Sequence, residues 1–184
     1  MKNKIIFLCL FIFEFAIADD FVKNASYDVC FTPHGNCTFQ IVNAISQAKH
    51  QILVQAYSFT SAPIAKALVD AKNSGVDVKI ILDKSQVTAK YSATTFFTNH
   101  GIKPSIDYKP AIAHNKVMII DNDTVVSGSF NFTKAAQEKN AENLLIIHDA
   151  GLAKKYIANW QNRMAESMLV SQYTKFRRDK HANN

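Results

Sequence analysis

The sequence predicts an α/β fold, an α-β-α sandwich built on a mixed, largely parallel central sheet. Stripes of apolar residues at helical spacing alternate with short apolar runs that are typical of buried strands. The joins between them are short, and 184 residues with 48% apolar content suffice for one packed domain. A strand, a helix and a second strand joined in this way form a right-handed parallel crossover, whose sheet is covered on both faces.

The first half of the chain alternates helices and strands. Capping residues support its second helix, since Ser61 and Pro63 mark the start and Gly75 follows the last turn. The predicted elements are, in order, a helix over 38–49, strands at 51–59 and 76–83 with that second helix between them, a weaker helix over 85–100 and a short strand at 102–107.

The second half begins with a predicted hairpin. Its strands are 117–120 and 124–129, and Asp121-Asn122-Asp123 forms the turn between them. A further strand follows at 141–148. The closing helix has an apolar face made of Ile157, Trp160, Met164 and Met168.

The N-terminus has the pattern of a secretory signal peptide. Two lysines precede the apolar stretch 5–18, and Ala16-Ile17-Ala18 supplies a cleavage site. An uncleaved membrane anchor is the alternative, but a spanning helix needs about 20 apolar residues. We therefore predict a signal peptide over 1–18, a domain over 19–170, a basic flexible tail over 171–184, and export to the periplasm or the medium.

The formal net charge is +6, and removal of the signal peptide lowers it by one. A basic protein suits an anionic partner such as nucleic acid or an acidic membrane surface, although a charge of this size also serves solubility. Two roles are open for the cations of the tail: they bind a phosphate backbone, or they lie in a solvated chain end. These cations are Lys175, Arg177, Arg178 and Lys180.

Cys30 and Cys37 are the two cysteines outside the signal peptide. In an exported protein, a Pro and a Gly between two nearby cysteines favour a local disulfide. A metal site would recruit His34, but three nearby ligands without paired spacing are a poor match to zinc, and we predict no metal.

Polar residues interrupt the apolar hairpin in a regular way. His114 and Lys116 are two apart in a strand, so their side chains share a face. Ser129 and Asn131 share a face in the same way. Asp121 has the opposite parity from His114, and its expected role is to fix the turn by hydrogen bonds.

These side chains suit a phosphate group. An imidazole, an ammonium, a hydroxyl and an amide are hydrogen-bond donors, and one of them can also act as a nucleophile or an acid. Mg²⁺ or Ca²⁺ would need more oxygen ligands than the Asp121-Asn122-Asp123 turn supplies. The set therefore predicts metal-independent chemistry without a cofactor.

The spacing His-x-Lys-x4-Asp-x6-Gly-Ser-x-Asn, which begins at His114 and ends at Asn131, resembles the signature of the phospholipase D superfamily. The resemblance covers roughly residues 28–168, including "AYSFT" and "GSFNFTKAAQEKNAEN". These segments are similar to the small bacterial endonucleases that have one motif per chain. "CFTPHGNC" and "IAHNKVMIID" also look like short secreted proteins called phospholipases D.

The resemblance implies a role for each motif residue. His114 would attack phosphorus and form a phosphohistidine, while Lys116 and Asn131 would hold the phosphate oxygens. Ser129 would orient the site, and Glu142 in "NAEN" would bond the other nitrogen of the histidine. Asp121 matches the aspartate of the motif, in agreement with its expected place in the turn.

This chemistry needs two histidines, one to attack and one to protonate the leaving oxygen. The other histidines lie at 34, 50, 100, 148 and 181, and none of them is followed by x-Lys. The second histidine must therefore come from another chain, and we predict a two-fold homodimer with both His114 side chains in a shared cleft.

Three functions are compatible with the sequence. The first is a non-specific endonuclease acting on DNA, and the second is a phospholipase D that converts phosphatidylcholine-like lipids to phosphatidic acid. The third is a catalytically silent dimer that binds nucleic acid or an adhesive partner. Aromatic residues near the motif either stack on bases or belong to the core; they are Tyr57, Phe59, Phe130 and Phe132.

Overall fold

An eight-stranded sheet forms the centre of the computed structural model, which describes residues 18–182. The predicted signal peptide lies outside these residues, except for Ala18. None of the helices within 18–182 combines the length and the apolar content that a bilayer crossing needs.

The strands follow the predicted order, with one addition at each end of the chain. They are Ser26–Thr32 (β1), Gln51–Ala56 (β2), Asp77–Asp83 (β3), Ser105–Asp107 (β4), Lys116–Ile120 (β5), Thr124–Gly128 (β6), Glu142–His148 (β7) and Met168–Leu169 (β8).

The helices lie between and after these strands. They are Cys37–Ser46 (α1), Ala62–Asn73 (α2), Thr94–Asn99 (α3), Lys134–Glu138 (α4), Ala150–Ala165 (α5) and Val170–Ala182 (α6), and a 3-10 turn spans Lys84–Val87.

The order of strands in the sheet is β1-β7-β6-β5-β2-β3-β4-β8, which confirms the α/β class and the mixed sheet. Parallel pairing is limited to β2–β3 and β3–β4, and the other five pairs are antiparallel. The expectation of a largely parallel sheet was therefore wrong. A three-residue turn forces β6 antiparallel to β5, and β1 and β8, which were not predicted, both add antiparallel edges.

Local signals explain where the helices begin. The Asn36 side chain accepts a hydrogen bond from the Phe39 amide at the start of α1 (3.3 Å). Asp149 does the same for the Leu152 amide at the start of α5 (2.6 Å). The predicted helix over 85–100 is interrupted, because Ser92 and Thr94 bond each other and the nearby backbone instead of continuing it.

Each face of the sheet has its own apolar core. Helices α1 to α4 cover one face, where Ile41, Leu68 and Met118 are fully buried. Helix α5 covers the middle of the other face and is fixed by the Trp160 indole, which donates to the Val54 carbonyl (3.0 Å). Strand β1 extends beyond α5 on this second face, where its side chains remain exposed.

Residues 171–182, expected to form a flexible tail, lie in α6 instead. The helix is anchored by Tyr173, which is 7% exposed and packs on Tyr108 with ring centroids 5.6 Å apart. Phe176 adds a second contact to Tyr108. This aromatic cluster joins residues far apart in the sequence, so the charged composition of the segment gave no sign of it.

Asp121 occupies the turn between β5 and β6, as expected from its parity. Its carboxylate accepts hydrogen bonds from the backbone amides of Lys49, His50 and Gln51, at 2.7 to 3.0 Å. Burial raises the pKa of Asp121, but these three bonds and the nearby His50 outweigh it, and the pKa falls below its usual value. Asp121 therefore ties the hairpin to the start of β2.

We expect Asp121→Asn to lower the free energy of unfolding by about 1–3 kcal/mol near pH 7, because an amide NH2 cannot accept from a backbone N–H. A carboxylate with a lowered pKa stabilises the fold above the unfolded pKa, and the effect is lost as the pH falls through the folded pKa. The difference from wild type should therefore shrink below about pH 4.

Urea unfolding at several pH values measures this difference. Asp123→Asn in the same turn is the control, since the Asp123 carboxylate accepts only from the Thr124 hydroxyl among the described residues. Equal stability of Asp121→Asn and wild type near pH 7 would contradict the assigned role.

Candidate active site

Most of the predicted site residues lie together at one edge of the sheet. Strand β2 ends and β5 begins there, because Ala56 pairs with Lys116. Strand β6 ends and β7 begins at the same edge, because Gly128 pairs with Leu144. The edge therefore gathers His114, Lys116, Ser129, Asn131 and Glu142, while Asp121 lies at the opposite end of β5.

Hydrogen bonds on both sides of His114 fix its backbone. The preceding amide, of Ala113, donates to the Asp83 carboxylate (2.8 Å), and the following carbonyl, of Asn115, accepts from the Tyr57 amide (2.8 Å). Asp83 is itself buried. The imidazole is solvent-exposed and lies against the Tyr57 ring, with centroids 4.6 Å apart. An accessible imidazole is thus held on a rigid backbone.

Lys116 is a buried cation beside this imidazole. Its side chain is 7% exposed, and its Nζ donates to the His114 carbonyl (2.7 Å). The same ammonium lies 5.2 Å from the centroid of the Tyr57 ring, within the range of a cation–π interaction. Burial lowers the pKa of Lys116, while the negative charge of Glu142 acts in the opposite direction. A partly desolvated ammonium of this kind binds a phosphate oxygen strongly.

Glu142 is held by its neighbours across the β6–β7 pair. The Ser129 hydroxyl donates to one carboxylate oxygen (2.6 Å), and the Asn140 amide donates to the other (2.9 Å). The Ser129 oxygen in turn accepts from the Asn143 amide (3.0 Å). Within residues 18–182 the carboxylate bonds to Ser129 and Asn140, and no hydrogen bond joins it to His114.

Asn131 follows a sharp bend at the end of β6. Gly128 has a φ of +139°, and a Cβ there would lie 2.4 Å from the Asn143 carbonyl oxygen, so only glycine fits. Beyond the bend, the Asn131 side-chain oxygen is buried and has no hydrogen-bond partner among the described residues. Rotation of the amide by 180° would present its NH2 at the same position.

The sequence interpretation did not consider Asp83, and it named Tyr57 only as an aromatic residue that either stacks on bases or belongs to the core. Both lie where a strand ends, Asp83 as the last residue of β3 and Tyr57 just after β2. The carboxyl ends of parallel strands meet at one sheet edge, and this rule could have found them. The other three aromatics near the motif are fully buried core residues: Phe59, Phe130 and Phe132.

A disulfide joins strand β1 to the start of α1. Cys30 and Cys37 are joined as predicted, with their Cα atoms 5.6 Å apart. The loop between them is tied to α4, because the Gln137 side chain donates to the Gly35 carbonyl (2.7 Å) and accepts from the Thr38 amide (2.8 Å).

In the part of the chain that the structure describes, no three His, Cys, Asp or Glu side chains are grouped as metal ligands.

Comparison with known families identifies the fold and the motif together. The sequence profile of the family described as "Cardiolipin synthase, PLD-like domain" matches residues 41–164, which is well over half of the chain. The chain belongs to the phospholipase D superfamily. The matched range includes all the residues of the His-Lys-Asp motif and Glu142.

Individual relatives within the superfamily carry different names. A protein named phospholipase D from Rickettsia conorii is 44% identical over 146 residues, which cover 79% of this chain and 73% of the relative. The crystal structure of Nuc, a phospholipase D family member from Salmonella typhimurium, is 42% identical, with a TM-score of 0.76 over 79% of this chain and 97% of Nuc. A human mitochondrial cardiolipin hydrolase is 26% identical over 148 residues, which are 58% of its length.

We expect the pKa of Lys116, the lysine of the superfamily motif, to lie below the usual lysine value of about 10.4. Glu142→Gln should lower this pKa further, because the variant lacks the negative charge that favours the protonated form. NMR of protein labelled at the lysine ε-carbon measures both values.

Glu138→Gln is the matched control for this titration. It removes a carboxylate that pairs with Lys134 on α4, so it should leave the Lys116 titration unchanged. A Lys116 pKa at or above the usual range would refute the description of this side chain as desolvated.

Proposed function

We propose that this phosphodiesterase of the phospholipase D superfamily is an exported, metal-independent endonuclease that cleaves DNA with little sequence preference. The observation that carries the proposal is the exposed imidazole of His114 beside the buried ammonium of Lys116, at an edge with Ser129 and Asn131. The likeness to Nuc and the resemblance to small bacterial endonucleases support nucleic acid as the substrate.

In this proposal the reaction has two steps. A nitrogen of His114 attacks the phosphorus, the bond to the leaving oxygen breaks, and a second histidine protonates that oxygen. The second histidine then removes a proton from water, which attacks the phosphohistidine and releases a phosphate monoester. Lys116 and the rotated amide of Asn131 bind the non-bridging oxygens, where charge develops in both transition states.

The donor set itself favours chemistry without a metal. An ammonium and an amide neutralise and orient the phosphate, which is the task that a divalent cation performs in metal-dependent phosphodiesterases. Glu142 then has the role of a positioning residue. Its carboxylate, oriented by Ser129 and Asn140, accepts the ring N–H of a histidine, and the histidine of a second chain is the candidate.

The second histidine comes from a homodimer in this proposal, and the open sheet face supports it. Tyr27, Val29 and Phe31 on β1 are 70%, 45% and 64% exposed. They pair with the same-face residues Ile147, Leu145 and Asn143 on β7, and together these six form what we call the open strip. Contiguous exposed apolar surface of this kind marks interaction sites.

The position of the open strip suits a shared active site. One end of the open strip is the pair Phe31–Asn143. The next pair along the two strands, Thr32–Glu142, lies at the catalytic edge. A two-fold contact in which the two open strips run parallel, with the axis along the strands, would bring the catalytic edges of both chains together. Helix α5 of each chain would then flank the strip of the other, because α5 covers the adjacent part of the same face.

Export is also part of the proposal. The disulfide supports it, since disulfides persist in the periplasm and outside the cell and are rare in the reducing cytosol. The leader pattern of residues 1–18 is the second support.

Phosphatidylcholine-like lipid is the second candidate substrate. The Rickettsia relatives are named phospholipase D, and the same chemistry serves any phosphodiester. Exposed apolar side chains near the site favour this candidate. Tyr91 is 74% exposed with the Lys90 ammonium 5.4 Å from its ring centroid, and Ile112, two residues from His114, is 56% exposed.

Turnover of two substrates separates the candidates. Purified protein of residues 19–184, in EDTA, should cut plasmid DNA and leave phosphatidylcholine vesicles intact. His114→Ala should lower DNA cleavage by at least about a thousandfold, since it removes the nucleophile. Choline release without DNA cleavage would establish the phospholipase, and unchanged DNA cleavage by His114→Ala would refute both enzymatic proposals.

Val29→Arg tests the dimer separately from the chemistry. A charge in the centre of the open strip should convert the dimer to a monomer and lower DNA cleavage at least about a hundredfold, although the His114 site of each chain is unaltered. Light scattering measures the mass, and circular dichroism checks the fold.

Phe39→Arg is the matched control for this variant. Phe39 is 62% exposed on α1, which covers the opposite face of the sheet, so this variant should remain dimeric. A monomeric wild-type protein with full activity would contradict the shared site.

A further inference from the structure

Helix α6 lies outside the region that defines the family. The family match ends at residue 164, and α6 begins at Val170 after the short edge strand β8. The helix is polar except for its contact residues. Tyr173 and Val170 join the core, and the polar remainder of the helix surface is free for another role.

The direction of α6 follows from its contacts with β4. At its start, the Val170 amide donates to the Pro104 carbonyl, just before β4 (3.0 Å). Within the next two turns, Tyr173 and Phe176 pack on Tyr108, just after β4. Helix α6 thus runs in the direction of β4, towards the sheet edge where β2 and β3 end and where the catalytic residues lie.

Unpaired positive charge is concentrated in the second half of α6. Four cations and one carboxylate occupy residues 175–180. Among the described residues, no carboxylate lies within ion-pair distance of these four cations. Lys175, Arg178 and Lys180 are exposed, while Arg177 is half-buried.

Cations at the C-terminal end of a helix also interact favourably with its dipole, typically by less than about 1 kcal/mol each. That effect does not explain their position beyond the catalytic edge. Lys109, which follows the anchoring Tyr108, adds another cation between α6 and the loop that leads to His114, although it lies 3.7 Å from Glu166.

We propose that α6 is an accessory nucleic-acid-binding helix, whose Lys175, Arg178 and Lys180 bind the phosphate backbone of a DNA strand that is being cut at His114. This inference rests on the proposed nuclease function. It adds that the protein binds further phosphates of the same DNA strand besides the one that is cleaved. Cations of this kind bind phosphates without reading sequence, in agreement with non-specific cleavage.

The distance between α6 and the nucleophile sets the length of DNA required. Tyr108 is six residues before His114, so the anchor of α6 lies at most about 20 Å from the nucleophile. Duplex DNA rises about 3.4 Å per base pair, so a duplex of about six base pairs is long enough to extend from His114 to the anchor of α6. A small phosphodiester would reach His114 alone.

The test combines three glutamine substitutions, Lys175→Gln, Arg178→Gln and Lys180→Gln. Glutamine keeps a high helix propensity, and none of the three residues lies in the catalytic site. The control variant is Lys23→Gln, Lys49→Gln and Lys79→Gln, which removes three exposed lysines near the opposite edge of the sheet. Both variants have the same net charge.

DNA binding is measured for a 30-base-pair duplex as a function of salt, with His114→Ala added to every protein to prevent cleavage. Turnover of bis(p-nitrophenyl) phosphate is measured with His114 intact. We expect the α6 variant to bind the duplex about tenfold more weakly, and its salt slope to fall by about 0.9 for each phosphate that it no longer neutralises. Its turnover of the small diester should equal that of wild type, and the control variant should match wild type in both assays.

Equal duplex affinity and equal salt slope in the α6 and control variants would overturn the proposal for α6 while the nuclease function stands. Failure of wild type to cleave DNA would instead refute the nuclease proposal and, with it, this role of α6. Binding to phosphatidylglycerol vesicles that depends on the three cations, with duplex binding unaffected by them, would also overturn the proposal and assign α6 to a membrane surface.

Discussion

The two hydrogen bonds that bracket His114 are the constraint on which the site depends. They join the loop before β5 to the ends of two parallel strands, through the Asp83 carboxylate and the Tyr57 amide. The imidazole can therefore be exposed to substrate while its backbone is held from both sides. The two apolar cores position β2, β3 and β5 side by side, and so they place these three groups within bonding distance.

Charge in the site follows from the same geometry. Lys116 is buried because β5 begins in the centre of the sheet, and its burial strengthens the interaction with a phosphate while lowering its own pKa. Glu142 begins the strand next to β6, close enough to oppose that shift. The aspartate of the motif, Asp121, lies at the far end of the hairpin, where it stabilises the fold rather than the transition state.

Local patterns predicted the central strands and the hairpin, and strand parity paired His114 with Lys116 and Ser129 with Asn131. Glu142 was found only through the resemblance to the phospholipase D superfamily. The pairing of β1 and β8, the partners of Glu142 and the docking of α6 on Tyr108 were not predicted. Each depends on register or contact between distant segments: Ser129 meets Glu142 only through the β6–β7 register, and Tyr173 meets Tyr108 across 65 positions of sequence. A one-residue slip of register between strands would have changed the contacts of Glu142.

An incomplete site in each chain is the central claim, and mixed dimers test it most directly. Wild-type and His114→Ala chains would be unfolded together, refolded at different ratios, and assayed for DNA cleavage at constant total protein. If each site needs both histidines, activity should fall as the square of the wild-type fraction, because only dimers of two wild-type chains are active. A fall in direct proportion to that fraction would show that one histidine suffices and would contradict the shared site.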